Sequence, residues 1–375
     1  MRISKKFQVT EGGKMPDNRN WQTELDEYLK LGEPTKVERS DAWKAAIGLQ
    51  DVDGLKTSEY LLDTAKEHIE GKINIADAQA RIQSYYEQGD SRRQSEHDTK
   101  EADIVSSRIA AILGEKTFQF SPAMYKEIHR RLFTGVFDHA GQIRPYNITK
   151  REWVLNGGTV IYAPFDSVGA TLDYDFKTEK EFSYDGLSVG ESVRHIAKFA
   201  SDIWQIHPFC EGNTRATAVF IIKYLKTFGF NVSNDVFAEN SWYFRNALVR
   251  ANYSNLSDSI TATTEFLERF FENLLLGKQN ELKNRFLHID FQSRIVGASK
   301  SQIETLNCNF EELAVLKVLS EFPSITQKDL SDRTGIPVGT IKRRTVSLQE
   351  KKLIRRLNGK RNGKWEILVD ISESE

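Results

Sequence analysis

His207-Pro-Phe-Cys-Glu-Gly-Asn-Thr-Arg215 lies between two helical stretches, and its reading decides the fold. Upstream, Val193, Ile196, Ala197, Ala200, Ile203 and Trp204 recur at the helical period and make one apolar face. Pro208 breaks that helix just after His207, because a proline ring cannot continue the backbone ladder. Downstream, residues 216–224 are nearly all apolar, the composition of a helix buried on every side. Phe209 anchors the intervening loop in the core, and Gly212 lets the backbone approach a ligand closely. The next helix offers free N–H groups to an anion at its start. Arg215, in its first turn, adds a fork of donors suited to phosphate. Glu211 is a hard oxygen ligand of the kind magnesium takes when it also holds phosphates. His207 is the one group in the loop able to act as a base near neutral pH. A lone histidine at a helix end, or a lone Gly-Asn-Thr cap, is usually structural. Their joint occurrence between core helices favours phosphoryl or nucleotidyl transfer to a hydroxyl.

Outward from that loop, the chain of 375 residues is long enough for two or three units. It is 39% apolar and 28% charged with a formal net charge of -1, which excludes a global bias toward nucleic acid or an anionic membrane. Cys210 and Cys308 are far apart and show no paired spacing, so neither a disulfide framework nor a structural zinc is expected. The N-terminus lacks the apolar core of a secretory signal, and no apolar run is long enough to span a bilayer. A cytoplasmic protein with no membrane partner is expected. Residues 1–35 read as a polar arm. A helical segment follows over 36–90, with helices ending at Gly48 and before Gly71 and a third over 76–86. The polar run 88–100 reads as a linker. Ser121-Pro122 opens a helix to Phe133, and further helices are expected over 238–252 and 261–276. Over 151–164, two β-rich tripeptides flank Asn156-Gly157-Gly158, a hairpin signal. Over 305–370 the order is helix, helix–turn–helix through Thr326 and Pro337, then two strands around Asn358-Gly359, which makes a winged helix. The expected fold class is mainly α, a helical bundle with a β-hairpin flap plus a small C-terminal winged helix-turn-helix domain.

The motif His-x-Phe-x-[Asp/Glu]-Gly-Asn-x-Arg, as it stands at 207–215, resembles the signature of Fic (fido) proteins, and the resemblance extends over about 100–290. It implies a protein adenylyltransferase that moves AMP from ATP to a hydroxyl side chain, with Mg²⁺. By that resemblance His207 is the general base and Glu211 the metal ligand. Gly212, Asn213, Thr214 and Arg215 hold the nucleotide's phosphates. Tyr243 and Asn246 lie in Tyr243-Phe-Arg-Asn-Ala-Leu-Val-Arg-Ala-Asn252, similar to the family's helix beside the base. Val160, Ile161 and Tyr162 belong to the flap that holds a target protein by strand addition. The resemblance is also compatible with a homodimer. Two positions depart from the commonest pattern. Thr214 stands for the second glycine, and Ala218 for a second arginine that binds the terminal phosphate. A different nucleotide donor is the alternative these departures raise.

Residues 41–87 resemble the VbhA-like antitoxin family through Val52-Asp-Gly-Leu55 and His68-Ile-Glu-Gly-Lys-Ile73. Family inhibitors carry Ser/Thr-x-x-x-Glu-Gly. Gly54 fits, Asp53 stands for the glutamate and Leu49 for the hydroxyl residue, so Asp53 and Gly54 are the inhibitory candidates. With Ala218 in place of the arginine, that carboxylate is expected to have less to bind. Ser106 fits the hydroxyl position of the family's alternative inhibitory helix, where Ala110 offers no carboxylate. In the C-terminal unit, ten Lys/Arg and one acid lie between 338 and 364. That charge suits DNA phosphates, with Thr340, Lys342 and Arg343 toward the groove. The competing readings are a DNA-binding regulator whose core only binds nucleotide, and a winged helix that docks protein.

Overall fold

The glycine at the end of the first helix, α1 (Lys36–Gly48), marks a close crossing. A Cβ at Gly48 would stand 2.3 Å from the backbone of Ala238, so only glycine permits the approach. The protein is seen here in a computed structural model that describes residues 34–87, 94–230, 235–291, 306–357 and 363–369. The arm proposed for 1–35 lies almost wholly outside the described residues. After α1 a 3-10 turn (Leu49–Asp53) closes on Gly54 in the left-handed conformation. Then come α2 (Glu59–Ile69), whose first turn the Ser58 hydroxyl caps, and α3 (Ile75–Glu87). The next helix, α4 (Gln94–Gly114), begins inside the run read as a linker. The run reads as polar because the apolar stripe of α4, Ile104, Val105, Ile109 and Ile112, begins only after it.

The central helices follow the sequence closely. They are α5 (Pro122–Phe133), capped by Ser121, and α7 (Val189–Ile206), which opens with a Ser188–Glu191 capping box. Next is α8 (Asn213–Thr227), whose residues 213–225 are all buried. Between α5 and α7 lies α6 (Val168–Glu181), a helix the sequence did not announce. Its stripe of Val168, Leu172 and Phe176 is narrow, and its fourth buried residue is Glu179. The helix expected over 238–252 is α9 (Asp235–Ala251), kinked at Asn240, and the one expected from 261 begins later as α10 (Glu265–Leu276).

The expected hairpin over 151–164 is not there. Trp153–Leu155 forms a single 3-10 turn, Asn156 adopts φ 53°, and the Glu152 N–H bonds to the Gly158 carbonyl at 2.9 Å. Val154 and Leu155 are buried by this turn, which uses up the β-rich residues in packing rather than in a ladder. Residues 158–164 run extended without a strand partner among the described residues.

The C-terminal unit is the winged helix the sequence predicts. It comprises α11 (Phe310–Glu321), α12 (Gln327–Thr334) and α13 (Val338–Glu350), then β1 (Ile354–Leu357) antiparallel to β2 (Lys364–Ile367). It packs on the bundle directly. The Phe310 ring meets Phe228 and Tyr184, each at 5.6 Å, and Lys317 donates to the Leu275 carbonyl at 3.0 Å. No helix among the described residues is long and apolar enough to cross a membrane.

Candidate active site

His207 ends α7 in the left-handed conformation (φ 49°, ψ 58°), which turns its ring into the protein. The residue is 3% exposed. Its Nδ1 lies 3.3 Å from the Trp204 carbonyl, which fixes that nitrogen as the donor and leaves Nε2 with a free lone pair. Nε2 has no hydrogen-bond partner and is fully enclosed. Burial, and then the charge of Lys150, hold the imidazole well below its ordinary pKa, so it is neutral and able to accept a proton. The Tyr162 ring packs beside it at 4.2 Å.

Arg144, which the sequence reading missed, organises the turn. It is 1% exposed and donates through Nε to the His207 carbonyl (2.7 Å) and through Nη1 to the Tyr146 carbonyl (2.7 Å). Its Nη2 donates to the carbonyls of Ala163 and Ile206. A guanidinium has enough planar donors to satisfy the carbonyls left bare where α7 stops. Beyond Pro208, Asn213 makes two bonds to the Phe209 backbone, at 3.0 and 2.8 Å. His129 stacks on Phe209 at 3.7 Å, accepts from the Gly141 N–H at Nδ1, and donates from Nε2 to the Glu211 carbonyl at 2.9 Å. Gly212 starts α8 at φ 76°, and a Cβ there would lie 2.4 Å from the Phe133 ring. The Thr214 hydroxyl accepts from the Trp204 indole at 3.0 Å, so this residue fixes α7 to α8.

A cavity of about 760 Å³ opens beside this loop, within the range of small-molecule sites. Glu211, Arg215 and Lys150 line it together with Trp242, Arg245 and residues 51–55. Each nitrogen of Arg215 faces a partner. Its Nη1 donates to Gln50 (3.0 Å), its Nη2 to Glu101 (2.7 Å), and its Nε pairs with Asp53 (2.8 Å). Asp53 was expected to have less to bind for want of an arginine at 218; with Ala218 buried in the core, the carboxylate takes the motif's own arginine instead. Gly54 lines the cavity beside it. Ser106 instead donates to the Ala46 carbonyl, which fastens α4 to α1.

Tyr243 and Asn246 are not brought to the cavity. Both are buried, and Asn246 donates to Asn284 at 2.8 Å. The helix presents Trp242 and Arg245 to the cavity, one residue before each. A register shift of one residue turns a helix by about 100°, and the kink at Asn240 was invisible in sequence. In the extended run, Val160 and Tyr162 point inward at 2% and 7% exposure, while Ile161 stands out at 83%. Gln205 holds the Ile161 carbonyl at 3.0 Å.

Glu211 carries the metal question. Among the described residues no group of three or more His, Cys, Asp or Glu side chains is placed to hold an ion. One exposed carboxylate fits a divalent cation that brings most of its oxygen shell on phosphates and water. At present one of its oxygens pairs with the Lys150 ammonium at 2.7 Å.

On the winged helix Lys342 and Arg343 are exposed, and Arg343 donates to the Thr340 hydroxyl at 3.1 Å. Other basic residues are used within the fold. Arg344 pairs with Glu311 (2.6 Å) and Asp185 (3.3 Å), Lys351 with buried Glu312, and Arg355 with Glu366. The free positive surface is smaller than the charge count suggests.

Residues 119–225 match the Fic/DOC family, and residues 312–355 match winged helix-turn-helix DNA-binding domains. The protein adenylyltransferase VbhT of Bartonella schoenbuchensis is 26% identical over 110 residues, 29% of this chain and 22% of that protein. The probable protein adenylyltransferase Fic of Escherichia coli K12 is 27% identical over 139 residues, 36% of this chain and 62% of that protein. The chain thus matches less than two thirds of the length of each. A crystal structure of a Fic family protein from Desulfovibrio desulfuricans aligns over 94% of this chain and 91% of that one, with 13% identity and a TM-score of 0.40.

Proposed function

From a chain that carries a Fic/DOC domain and a C-terminal winged helix-turn-helix, we propose a protein adenylyltransferase that transfers AMP from ATP to a hydroxyl side chain of a target protein or of itself. The observation that carries this reading is the buried, unpartnered Nε2 of a neutral His207, in the loop whose Glu211 and Arg215 line the cavity. His207 takes the proton of the target hydroxyl as its oxygen forms a bond to the α-phosphorus. The bond from that phosphorus to the β-phosphate oxygen breaks, and pyrophosphate leaves. The N–H groups at the start of α8 and the Gly212 turn face the transferred phosphoryl group. Glu211 would hold Mg²⁺ arriving with the nucleotide, which would spread the charge of the phosphates. Ile161, exposed on an extended run, is suited to lie against a target segment.

Regulation by the N-terminal segment belongs to the same proposal. Asp53 and Gln50 occupy donors of Arg215 that a phosphate needs, so the docked segment lowers affinity for the donor. Incubation with ATP labelled at the α-phosphorus tests the enzyme reading, and the label must reach protein in wild type and fail in His207→Ala. The second reading, a DNA-binding regulator or transfer of a different nucleotide, is favoured by the exposed Lys342 and Arg343 and by Ala218. It predicts salt-sensitive DNA retention with no covalent adenylate.

A further inference from the structure

The arginine of this cavity that has donors to spare is not the one in the motif. Arg215 has all three nitrogens facing partners, Gln50, Asp53 and Glu101. Arg245 is different. Its side chain is 16% exposed and lines the cavity, and Nη2 alone is committed, to Glu152 at 2.9 and 3.2 Å. Neither Nε nor Nη1 has a hydrogen-bond partner among the described residues. The guanidinium lies over the Trp242 indole, 5.1 Å from the ring centroid, so its plane is held from one side as well as at one end.

Glu152 explains the arrangement. Its side chain is wholly buried, and a carboxylate so placed persists as an ion only beside a fixed cation. Lys150 lies two residues away and lines the same cavity. A buried anion holding a half-committed arginine at the wall of a cavity costs the fold something and contributes little if nothing binds. The arrangement suits a site where an anionic ligand completes the guanidinium's contacts.

We propose that Arg245, positioned by Glu152 and stacked on Trp242, binds the α-phosphate of the nucleotide donor in this cavity. The inference rests on the transferase reading for its ligand class, a nucleoside phosphate, and adds the residue that holds it. Among the described residues no hydrogen bond or ion pair joins Arg245 to residues 50–53, so the contact is available while Asp53 still covers Arg215. A nucleoside monophosphate then binds the docked protein through Arg245, and a triphosphate gains further from the release of Arg215.

Calorimetric titration of the full chain with AMP and with ATP tests this, alongside Arg245→Met, Arg245→Lys, Glu152→Gln and Asp53→Ala. Arg245→Met is expected to weaken AMP binding by about tenfold or more, with Arg245→Lys recovering part of the loss and melting close to wild type. Asp53→Ala is expected to tighten ATP and leave AMP unchanged. If Arg245→Met binds AMP as wild type does, the assignment is wrong while the transferase reading stands. If the lysine variant binds no better than the methionine variant and both melt early, Arg245 is a structural partner of Glu152 only. If wild type binds no nucleotide at all, the transferase reading fails, and this assignment fails with it.

Discussion

An imidazole enclosed by Tyr162 and Trp204, with one nitrogen held by a carbonyl and the other bare, is a base waiting for a proton. Its pKa lies well below 6.5, so His207 stays neutral as the pH falls through that value. The transfer rate should therefore stay flat from pH 8 to below 6.5 rather than halving near the ordinary histidine pKa, and a pH–rate profile checks this. Replacing His207 by alanine should cost roughly 10²–10⁴-fold in rate with nucleotide binding retained. His129 acts on stability instead. Burial pushes it down to about 4, so its neutral form is favoured in the fold. Its contribution is complete above pH 6.5 and is lost as the pH falls from there toward 4. Melting temperature against pH should decline across that interval, and His129→Gln should flatten the decline. The local form of the loop, the helix end before Pro208 and the turn at Gly212, was legible from residue type. Arg144 was not, because a lone arginine sixty-odd residues upstream carries no local pattern that shows which carbonyls it will meet.

At the scale of elements, the segment over the cavity is built into the core. Trp43, Ala45, Ala46, Leu49 and Val52 are each 1% exposed or less, and Ser58 and Tyr86 fasten the following helices to Asp103 of α4. Exposing Leu49 and Val52 would cost about 1.5–3 kcal/mol each. Exchange of the Asp53 carboxylate for a phosphate is far less costly than undocking the whole segment. Asp53→Ala should thus raise the labelling rate with little change in melting temperature, whereas removal of 36–87 should yield an insoluble core. Expression and melting of the two proteins separate these outcomes. Helices with a clear apolar period were readable in the sequence. The hairpin was misread because Trp153, Val154 and Leu155 satisfy a strand pattern and a buried turn equally. In α9 the pair carried over from the resemblance missed the cavity by one residue, since a matched stretch of sequence does not fix which face of the helix meets the cavity.

Across the whole molecule, the winged helix is docked rather than tethered. Phe310 is buried against Phe228 and Tyr184, and Arg344 of α13 pairs with Asp185 in the loop that precedes α7. The helix that would enter a groove therefore touches the segment leading to His207. Reversing charge at Lys342 and Arg343 should abolish salt-sensitive DNA retention without changing melting temperature, while reversal at Arg344 should lower it. Mobility shift and melting curves of the three variants check both. The central claim concerns what the cavity transfers. Full-length protein, with Mg²⁺ and ATP labelled at either the α- or the γ-phosphorus, decides it in one gel. The account predicts covalent α-label on protein, no γ-label, and neither in His207→Ala. Label from the γ-position, or α-label as strong in His207→Ala as in wild type, would contradict it.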